Sequence, residues 1–286
     1  MKKRFRRFLL PVLLVMLCCQ FSVSAFAENV EPADVVVREI RLTGSGAEFS
    51  CAGVSVQGSV VTISEVGDYV LSGTLNDGRI VVNTGFSSEK TSITLSGVTL
   101  TCLDGPAIYV QQAKKVKLRM AEGTENVITS GTEEMLRTFD KSNTGAAIYA
   151  EDDLDIKGPG VLIVNGYINN GITCKDDFDL DGGTLIVYAA NNGIRGSESI
   201  EINDGSLTVK CGNDALKATS DKVGKGYVEI DGGMCLLTAG GNGISAVTDV
   251  IVVGGETVIE SAKTPVKSGN PLQITGGSLM ANGVIQ

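Results

Sequence analysis

A stretch of about 22 residues with a fixed pattern of apolar and polar positions recurs along the chain. It is clearest in GITCKDDFDLDGGTLIVYAANN at residues 171–192 and in GIRGSESIEINDGSLTVKCGND at residues 193–214. Within each copy apolar residues alternate with polar ones, which is the period of a β-strand and not of a helix. At roughly 3.3 Å per residue, one copy is long enough for three short strands joined by three corners.

Each copy contains an apolar anchor residue that follows a small residue. The anchors are Ile148, Ile172, Ile194, Leu216, Ile244 and Val266. They are separated by 24, 22, 22, 28 and 22 residues. A repeat of this length with Gly-Gly or Asp-Gly corners is typical of stacked coils, each covering the apolar face of the next. The sequence therefore predicts an all-β fold, a single parallel β-helix, and parallel crossovers of this kind are generally right-handed.

The pattern divides the chain into three segments. Residues 1–27 contain the basic MKKRFRR, a short apolar run and an Ala-Phe-Ala site, which is typical of a cleaved signal peptide. The alternative is an N-terminal membrane anchor, which the shortness of the apolar run disfavours. Residues 28–75 are predicted to form a strand cap over the open end of the helix, because uncovered strand edges aggregate. Residues 76–286 are predicted to form the β-helix itself.

Two steps of the repeat are too long for one plain coil. The step from Ile108 to Ile148 is 40 residues, so we expect an inserted loop at residues 131–144. The 28-residue step contains DKVGKG at residues 221–226, which we interpret as a second surface loop. The anchors on either side of each loop should still lie on adjacent coils.

Composition and charge exclude several kinds of function. The 286 residues include no His, which excludes His-based catalytic triads and His-ligated zinc. Removing residues 1–27 takes away five of the 24 basic residues and none of the 33 acidic ones, so the net charge becomes −14. Nucleic acid and anionic membranes are therefore not expected partners, and cations are. The five cysteines that remain fall mainly at inward positions, where we expect small buried hydrophobic side chains rather than a disulfide framework.

Stacking of the coils brings acidic residues together in columns. The densest group is Asp152, Asp153, Asp176, Asp177 and Asp179. Residues in register on neighbouring coils lie about 5 Å apart, so like charges there should raise one another's pKa or attract a cation. Calcium prefers oxygen ligands and tolerates irregular clusters, so this group is predicted to bind Ca²⁺. The alternative is a solvated acidic face.

A second column is rich in asparagine and precedes the anchors. Asn192, Asn213 and Asp214 belong to it. Asparagine amides can hydrogen-bond along a stack, so one interpretation is a ladder that supports the corner of each coil. The other is a second cation site at these three residues.

Two tyrosines are candidates for contact with a sugar. The chain has no Trp, so stacking on a pyranose ring must come from Tyr or Phe. Tyr109 and Tyr149 each follow an anchor, and alternation turns both rings outward on adjacent coils. The alternative is that the rings only cover the coil edge beneath the loop at residues 131–144.

Three segments together carry a resemblance to a known family. They are GAAIYAEDDLDIKGPGVLIVN from residue 145, NNGITCKDDFDLDGGTLIV from residue 169 and KGYVEIDGGMCLLTAGGNGI from residue 225. They resemble the bacterial carbohydrate-binding domain family built on a right-handed β-helix, which is similar to the calcium-dependent family 9 pectate lyases. The resemblance implies Ca²⁺ at aspartates of successive coils and cellulose or a pectin-type polysaccharide as the ligand. Later coils depart from it, with Glu198-Ser199 and Thr248-Asp249 in place of the Asp pair.

Three functions remain open at this stage. The first is a secreted, monomeric protein that binds an extracellular polysaccharide with the help of calcium. The second is a pectate-lyase-like enzyme in which Lys217 takes the proton during β-elimination, since a base must reach that proton directly or through one water. The third is a structural or adhesive surface protein without a sugar site.

Overall fold

The computed structural model describes residues 37–138 and 145–286, and regular structure there is almost entirely β. The exception is a 3-10 helix, Glu133–Thr138, inside the predicted loop at residues 131–144. Within these ranges, no helix has the length and apolar character needed to cross a membrane. The predicted signal peptide at residues 1–27 lies outside the described residues.

The described part of the chain forms short strands throughout its length. In chain order they are β1 (Arg38–Gly44), β2 (Ala47–Phe49), β3 (Val54–Gln57), β4 (Val60–Ile63), β5 (Asp68–Leu75), β6 (Arg79–Asn83), β7 (Thr91–Cys102), β8 (Ile108–Gln112), β9 (Lys115–Met120), β10 (Glu125–Ser130), β11 (Ala146–Ala150), β12 (Asp153–Lys157), β13 (Val161–Gly166), β14 (Asn170–Cys174), β15 (Asp177–Ala189), β16 (Ile194–Gly196), β17 (Ser199–Cys211), β18 (Leu216–Ala218), β19 (Tyr227–Ile230), β20 (Met234–Ala239), β21 (Ile244–Ser245), β22 (Val250–Val252), β23 (Glu256–Ser261), β24 (Val266–Lys267), β25 (Gln273–Ile274), β26 (Ser278–Ala281) and β27 (Val284–Ile285).

The chain turns through the same three directions in each coil, so parallel strands stack into three rows. Row I contains β4, β6, β8, β11, β14, β16, β18, β21 and β24. Row II contains β9, β12, β19, β22, β25 and the first halves of β5, β7, β15 and β17. Row III contains β10, β13, β20, β23, β26 and the second halves of the same four long strands. This arrangement of about nine coils confirms the predicted β-helix.

The anchor residues form one continuous column in row I, buried as far as Ile244 and partly buried at Val266. Register pairs join Ile80, Ile108, Ile148, Ile172, Ile194, Leu216, Ile244 and Val266. Ile108 and Ile148 are direct partners despite the 40-residue step, as predicted. Apolar side chains from all three rows fill the interior. The five cysteines within the described residues are free, and Cys102, Cys174, Cys211 and Cys235 are buried in this core.

A column of glycines forms the corner between rows II and III. Gly205 has a φ of +99°, and a Cβ there would lie 2.7 Å from the carbonyl oxygen of Gly183. Gly233 repeats this one coil later, with a Cβ position 2.3 Å from the carbonyl oxygen of Gly205. The Gly-Gly and Asp-Gly corners therefore exist because adjacent turns stack too closely for a side chain.

Antiparallel strands are present at both ends of the stack. At the start β2 pairs with β1 and β3 with β4, and at the end β27 pairs with β26. However, β1 already pairs in parallel with β5, and β4 with β6. The predicted boundary at residue 76 therefore falls inside the parallel stack, because strands within residues 28–75 alternate with the same period as the later coils.

Candidate functional site

Tyr109 and Tyr149 lie side by side on the outer surface of row I. They are register partners on β8 and β11, and their anchors Ile108 and Ile148 point into the core. The ring centroids are 5.8 Å apart with an interplanar angle of 69°, an edge-to-face pair. The predicted placement is confirmed: the rings occupy adjacent coils and face outward.

Charged groups surround the half-buried ring of Tyr149. The ammonium nitrogen of Lys175 lies 6.0 Å from the ring centroid. Burial and the nearby Glu151 carboxylate raise the pKa of the Tyr149 phenol to about 12. The phenol therefore stays protonated at neutral pH and can donate a hydrogen bond.

An acidic cleft lies beside this tyrosine pair, where row I turns into row II. Its volume is about 300 Å³. Its lining includes Phe86, Gln111, Lys114, Glu151, Asp152, Asp153 and Asp176. Phe86 is 96% exposed at the rim. The cleft therefore combines an exposed aromatic ring with four carboxylates.

Two of the cleft aspartates are also fixed to the backbone. Oδ2 of Asp152 accepts a hydrogen bond of 2.8 Å from the Ala113 amide, and Oδ1 of Asp153 accepts one of 3.4 Å from the Asp177 amide. Burial raises the pKa of Asp176, and repulsion from Glu198 and the other nearby carboxylates raises it further. The charge at Asp176 is therefore incompletely compensated by the surrounding protein.

Asp177 is in a different environment, because a lysine from the loop at residues 221–226 reaches it. Nζ of Lys225 lies 3.0 Å from Oδ2 of Asp177 and 3.0 Å from Oε2 of Glu198. Ser199 donates a 2.8 Å hydrogen bond to Oδ1 of Asp177. Hydrogen bonds from Lys222 and Lys225 hold the pKa of Glu198 below its usual value.

Asp179 lies in a third environment, an outward column of row II in register with Asp155 and Glu201. Nζ of Lys115 lies 3.0 Å from Oδ2 of Asp179 and 2.6 Å from Oδ1 of Asp155. Burial and a hydrogen bond with Asp155 raise the pKa of Asp179 to about 7, although Lys115 opposes the shift. The two carboxyl groups thus share one ammonium group.

The five predicted calcium ligands are therefore divided between three environments rather than gathered in one cluster. In residues 37–138 and 145–286, no three His, Cys, Asp or Glu side chains are arranged as a ready-made metal site. In the same ranges, Asp152, Asp153 and Asp176 form no ion pair with Lys or Arg. These three fit a hard cation best, because they converge on one cleft and repel one another.

The second candidate cation site is a hydrogen-bonded ladder. Oδ1 of Asn192 accepts bonds from the Asn213 side chain and the Asp214 amide. Oδ1 of Asp214 accepts two bonds of 2.9 Å from Asn242. Its other oxygen lies 3.0 Å from Nζ of Lys217. These contacts support the interpretation of a ladder that holds the corner.

Lys217 lies far from the acidic cleft. Its strand, β18, is three parallel strand spacings from β11, whose coil carries Asp152 and Asp153, and two from β14, whose coil carries Asp176. These spacings amount to about 10–14 Å along the helix axis. It lines a separate cleft of about 600 Å³ together with Lys263 and Lys267. The structure therefore does not bring Lys217 together with Asp152, Asp153 and Asp176.

Sequence reasoning missed the lysines that compensate the acidic columns. Lys115 lies on β9 in register with Asp153. Its position could have been predicted by dividing the 40-residue step from Ile108 to Ile148 into one coil and an inserted loop. Lys225 lies in an insertion whose path the repeat does not encode. Phe86, between β6 and β7, was missed because it falls in a corner outside the repeating pattern.

Comparisons with known proteins agree with this architecture. Residues 57–283 match the family model described as carbohydrate-binding domain-containing protein. A protein of that description from Acetivibrio thermocellus is 40% identical over 228 residues, which is 79% of each chain. The solved structure of a polysaccharide lyase-like protein from C. thermocellum, a gadolinium derivative, has a TM-score of 0.77 and 33% identity. That likeness covers 85% of this chain and 99% of the other. The chain belongs to the carbohydrate-binding domain-containing protein family.

Proposed function

We propose that this protein binds an extracellular plant-type or acidic polysaccharide, of the polygalacturonate class, on the outer surface of row I. Family membership supports a carbohydrate ligand. The observation that carries the proposal is the edge-to-face pair of Tyr109 and Tyr149 beside the acidic cleft. Export is supported by the basic and apolar pattern of residues 1–27.

The aromatic rings provide the apolar part of this surface. Pyranose rings have apolar C–H faces, and Tyr and Phe offer flat apolar faces with, for Tyr, a polar edge. Tyr109 and Tyr149 lie along the row, and the exposed ring of Phe86 stands at the rim of the cleft. The exposed Gln111 also lines the cleft, and its amide can hydrogen-bond sugar hydroxyl groups.

Calcium is part of the proposal, and charge balance supports it. Without residues 1–27 the chain carries a net charge of −14, so an acidic polysaccharide would be repelled unless a cation intervened. Asp152, Asp153 and Asp176 are the residues that would hold the ion. A bound Ca²⁺ would supply positive charge to which carboxylate groups of the ligand could coordinate. The exposed rim residues would orient the sugar chain.

Binding is favoured over β-elimination because of the contacts of Lys217. Its ammonium group is 3.0 Å from the buried carboxylate of Asp214, so it is already held in an ion pair. It also lies two to three coils, or about 10–14 Å along the axis, from the residues proposed to hold the cation. A lysine held in an ion pair at that distance is too far to take a proton from a sugar bound there.

Affinity electrophoresis in gels containing polygalacturonate and calcium tests the location of the site. We expect the wild-type protein to be retarded and the double variant Tyr109→Ala/Tyr149→Ala to migrate as it does without polysaccharide. The matched control is Tyr188→Ala on row III, which should be retarded like the wild type. The proposed surface would be excluded if the Tyr109→Ala/Tyr149→Ala protein still melts cooperatively and is retarded as much as the wild type.

A further inference from the structure

The outer surface of row III carries a continuous apolar column over its last five strands, β15, β17, β20, β23 and β26. Register pairs join its members, which are Ile186, Thr208, Leu236, Val258 and Met280. Leu236 is 40% exposed, and Met234, two residues before it on the same strand, is 46% exposed. Large apolar side chains that are exposed side by side usually mark a surface that another molecule covers.

The same surface carries little charge. Among the outward side chains of these strands within row III, the charged ones are Lys210, Glu256 and Glu260. The chain without residues 1–27 has a net charge of −14, so this surface differs from the acidic columns elsewhere on the molecule. Depletion of charge together with exposed methionine is characteristic of the centre of a protein–protein interface.

We propose that this surface is the interface of a homodimer, in which two copies of the chain pack row III against row III with their helix axes antiparallel. The twofold axis runs along β20 and passes through Leu236, so that Leu236 meets Leu236 of the second copy. Sheets that pack face to face lie about 10 Å apart, with their side chains interdigitated. The dimer replaces the monomer that the sequence predicted.

The positions of the charged residues select this arrangement. Lys210 and Glu260 lie in one column, one coil to either side of Thr238. Both are exposed, and neither has an ion-pair partner within the part of the chain that the structure describes. Rotation about the axis through Leu236 places Lys210 opposite Glu260 of the second copy, and this pair forms twice. An unpaired charge of each sign is thereby matched.

The other twofold arrangement, with the helix axes parallel, is disfavoured by charge. Glu256 and Glu260 lie on the same strand, on either side of Val258. A twofold axis along the helix would exchange their columns and bring Glu256 of one copy against Glu260 of the other. Like charges facing each other across an interface repel. In the antiparallel arrangement Glu256 instead faces Ser206, whose hydroxyl group can donate a hydrogen bond to it.

The size of the surface fits a reversible dimer. Five strands about 4.8 Å apart, each about 20 Å long, cover nearly 500 Å² on each copy. Both copies together therefore bury about 1,000 Å² before the relief of the side chains is counted, which is at the lower end for a specific interface. Tyr109 and Tyr149 lie on row I, so the dimer leaves that surface of each copy free.

Sedimentation equilibrium over micromolar concentrations tests the interface. We expect a monomer–dimer equilibrium with a dissociation constant on the order of micromolar. Leu236→Glu places two carboxylates together on the twofold axis and should raise this constant at least about thirtyfold, the equivalent of about 2 kcal/mol. Val223→Glu is the matched control, because Val223 is fully exposed in the loop at residues 221–226, and it should dimerise like the wild type.

Exchange of the charged pair tests the orientation. Lys210→Glu and Glu260→Lys each place like charges opposite one another and should each weaken the dimer about tenfold. Lys210→Glu/Glu260→Lys restores the pair with its signs exchanged and should recover the wild-type dissociation constant. These substitutions lie at exposed positions, and matching melting temperatures confirm that each variant is folded.

Three results would overturn the dimer as described. The first is a wild-type protein that stays monomeric throughout the concentration range. The second is wild-type dimerisation in Leu236→Glu, and the third is a double charge variant that dimerises no better than the single ones. Titration of oligogalacturonate into Leu236→Glu, whose row I is unchanged, reports separately on the proposed function.

Discussion

The ammonium nitrogen of Lys115 lies 3.0 Å from Oδ2 of Asp179, although the two residues are 64 positions apart. Their strands are not neighbours, since β12 lies between β9 and β15. Lys115 reaches across that strand and also approaches Asp155 to 2.6 Å. Lys115 thus compensates two stacked carboxyl groups, and Lys117 lies 3.9 Å from Asp155 as a more distant second cation. The acidic column alone would predict a cation from solution.

Replacing Lys115 should destabilise the fold. In Lys115→Met the carboxyl groups of Asp155 and Asp179 lose their shared counter-charge while remaining largely buried. We expect the free energy of unfolding in urea to fall by about 1–3 kcal/mol, less than the roughly 3–5 kcal/mol for a fully buried ion pair because these side chains are partly exposed. Lys157→Met is the matched control, because its 4.0 Å contact with Asp181 is more exposed and should contribute less than about 1 kcal/mol. Equal losses in the two variants would contradict this account.

The raised pKa of Asp179 predicts a pH dependence of stability. Its folded-state pKa of about 7 is above the ordinary 3.8, so the folded protein retains a proton that the unfolded chain releases. The stability from this carboxyl is therefore present in acid and lost as the pH rises through about 7. Asp179→Asn mimics the protonated form. Its melting temperature should therefore rise relative to that of the wild type as the pH is raised from about 5 to about 8.

The exposed Asp204 provides the control for this titration. The difference in melting temperature between Asp204→Asn and the wild type should stay constant over the same pH range. The proton assigned to Asp179 would be contradicted if the melting temperature of Asp179→Asn kept a constant difference from the wild type. It would also be contradicted if that melting temperature fell relative to the wild type as the pH rises.

Calcium should stabilise the folded protein if Asp152, Asp153 and Asp176 hold it. A ligand that binds only the native state raises the melting temperature, by the equivalent of about 2.7 kcal/mol at one hundred times its dissociation constant. We expect differential scanning calorimetry to show this rise on adding calcium to the wild type and a much smaller rise in Asp176→Asn. Asp181→Asn, outside the cleft, should respond like the wild type. Identical melting of the wild type in calcium and in chelator would remove calcium from the proposal.

No unsaturated uronate product is expected from polygalacturonate and calcium. The reason is the position of Lys217, which is paired with Asp214 and lies two to three coils from the cleft where the cation is proposed. Ultraviolet absorbance of the unsaturated product provides the measurement. An increase in absorbance that disappears in Lys217→Ala would replace the binding function with a lyase.

The repeat allowed most of the fold to be predicted, because each anchor from Ile148 to Val266 must face the core for its coil to stack. The outward position of Tyr109 and Tyr149 followed from the same alternation. The division of the five aspartates could not be predicted, since it depends on where lysine side chains reach. Lys225 belongs to an insertion, and insertions are not constrained by the period of the coils.

The central claim is that row I binds an acidic polysaccharide through its aromatic pair and a calcium-dependent acidic cleft. Isothermal titration of an oligogalacturonate into the wild-type protein, with calcium and then with chelator, tests it most directly. The account predicts saturable binding in calcium, a loss of affinity of at least about tenfold in chelator, and a similar loss in Tyr109→Ala/Tyr149→Ala. The claim would be contradicted if the wild type gave no heat of binding in calcium. It would also be contradicted if the affinity were equal for the wild type in calcium, the wild type in chelator and Tyr109→Ala/Tyr149→Ala in calcium.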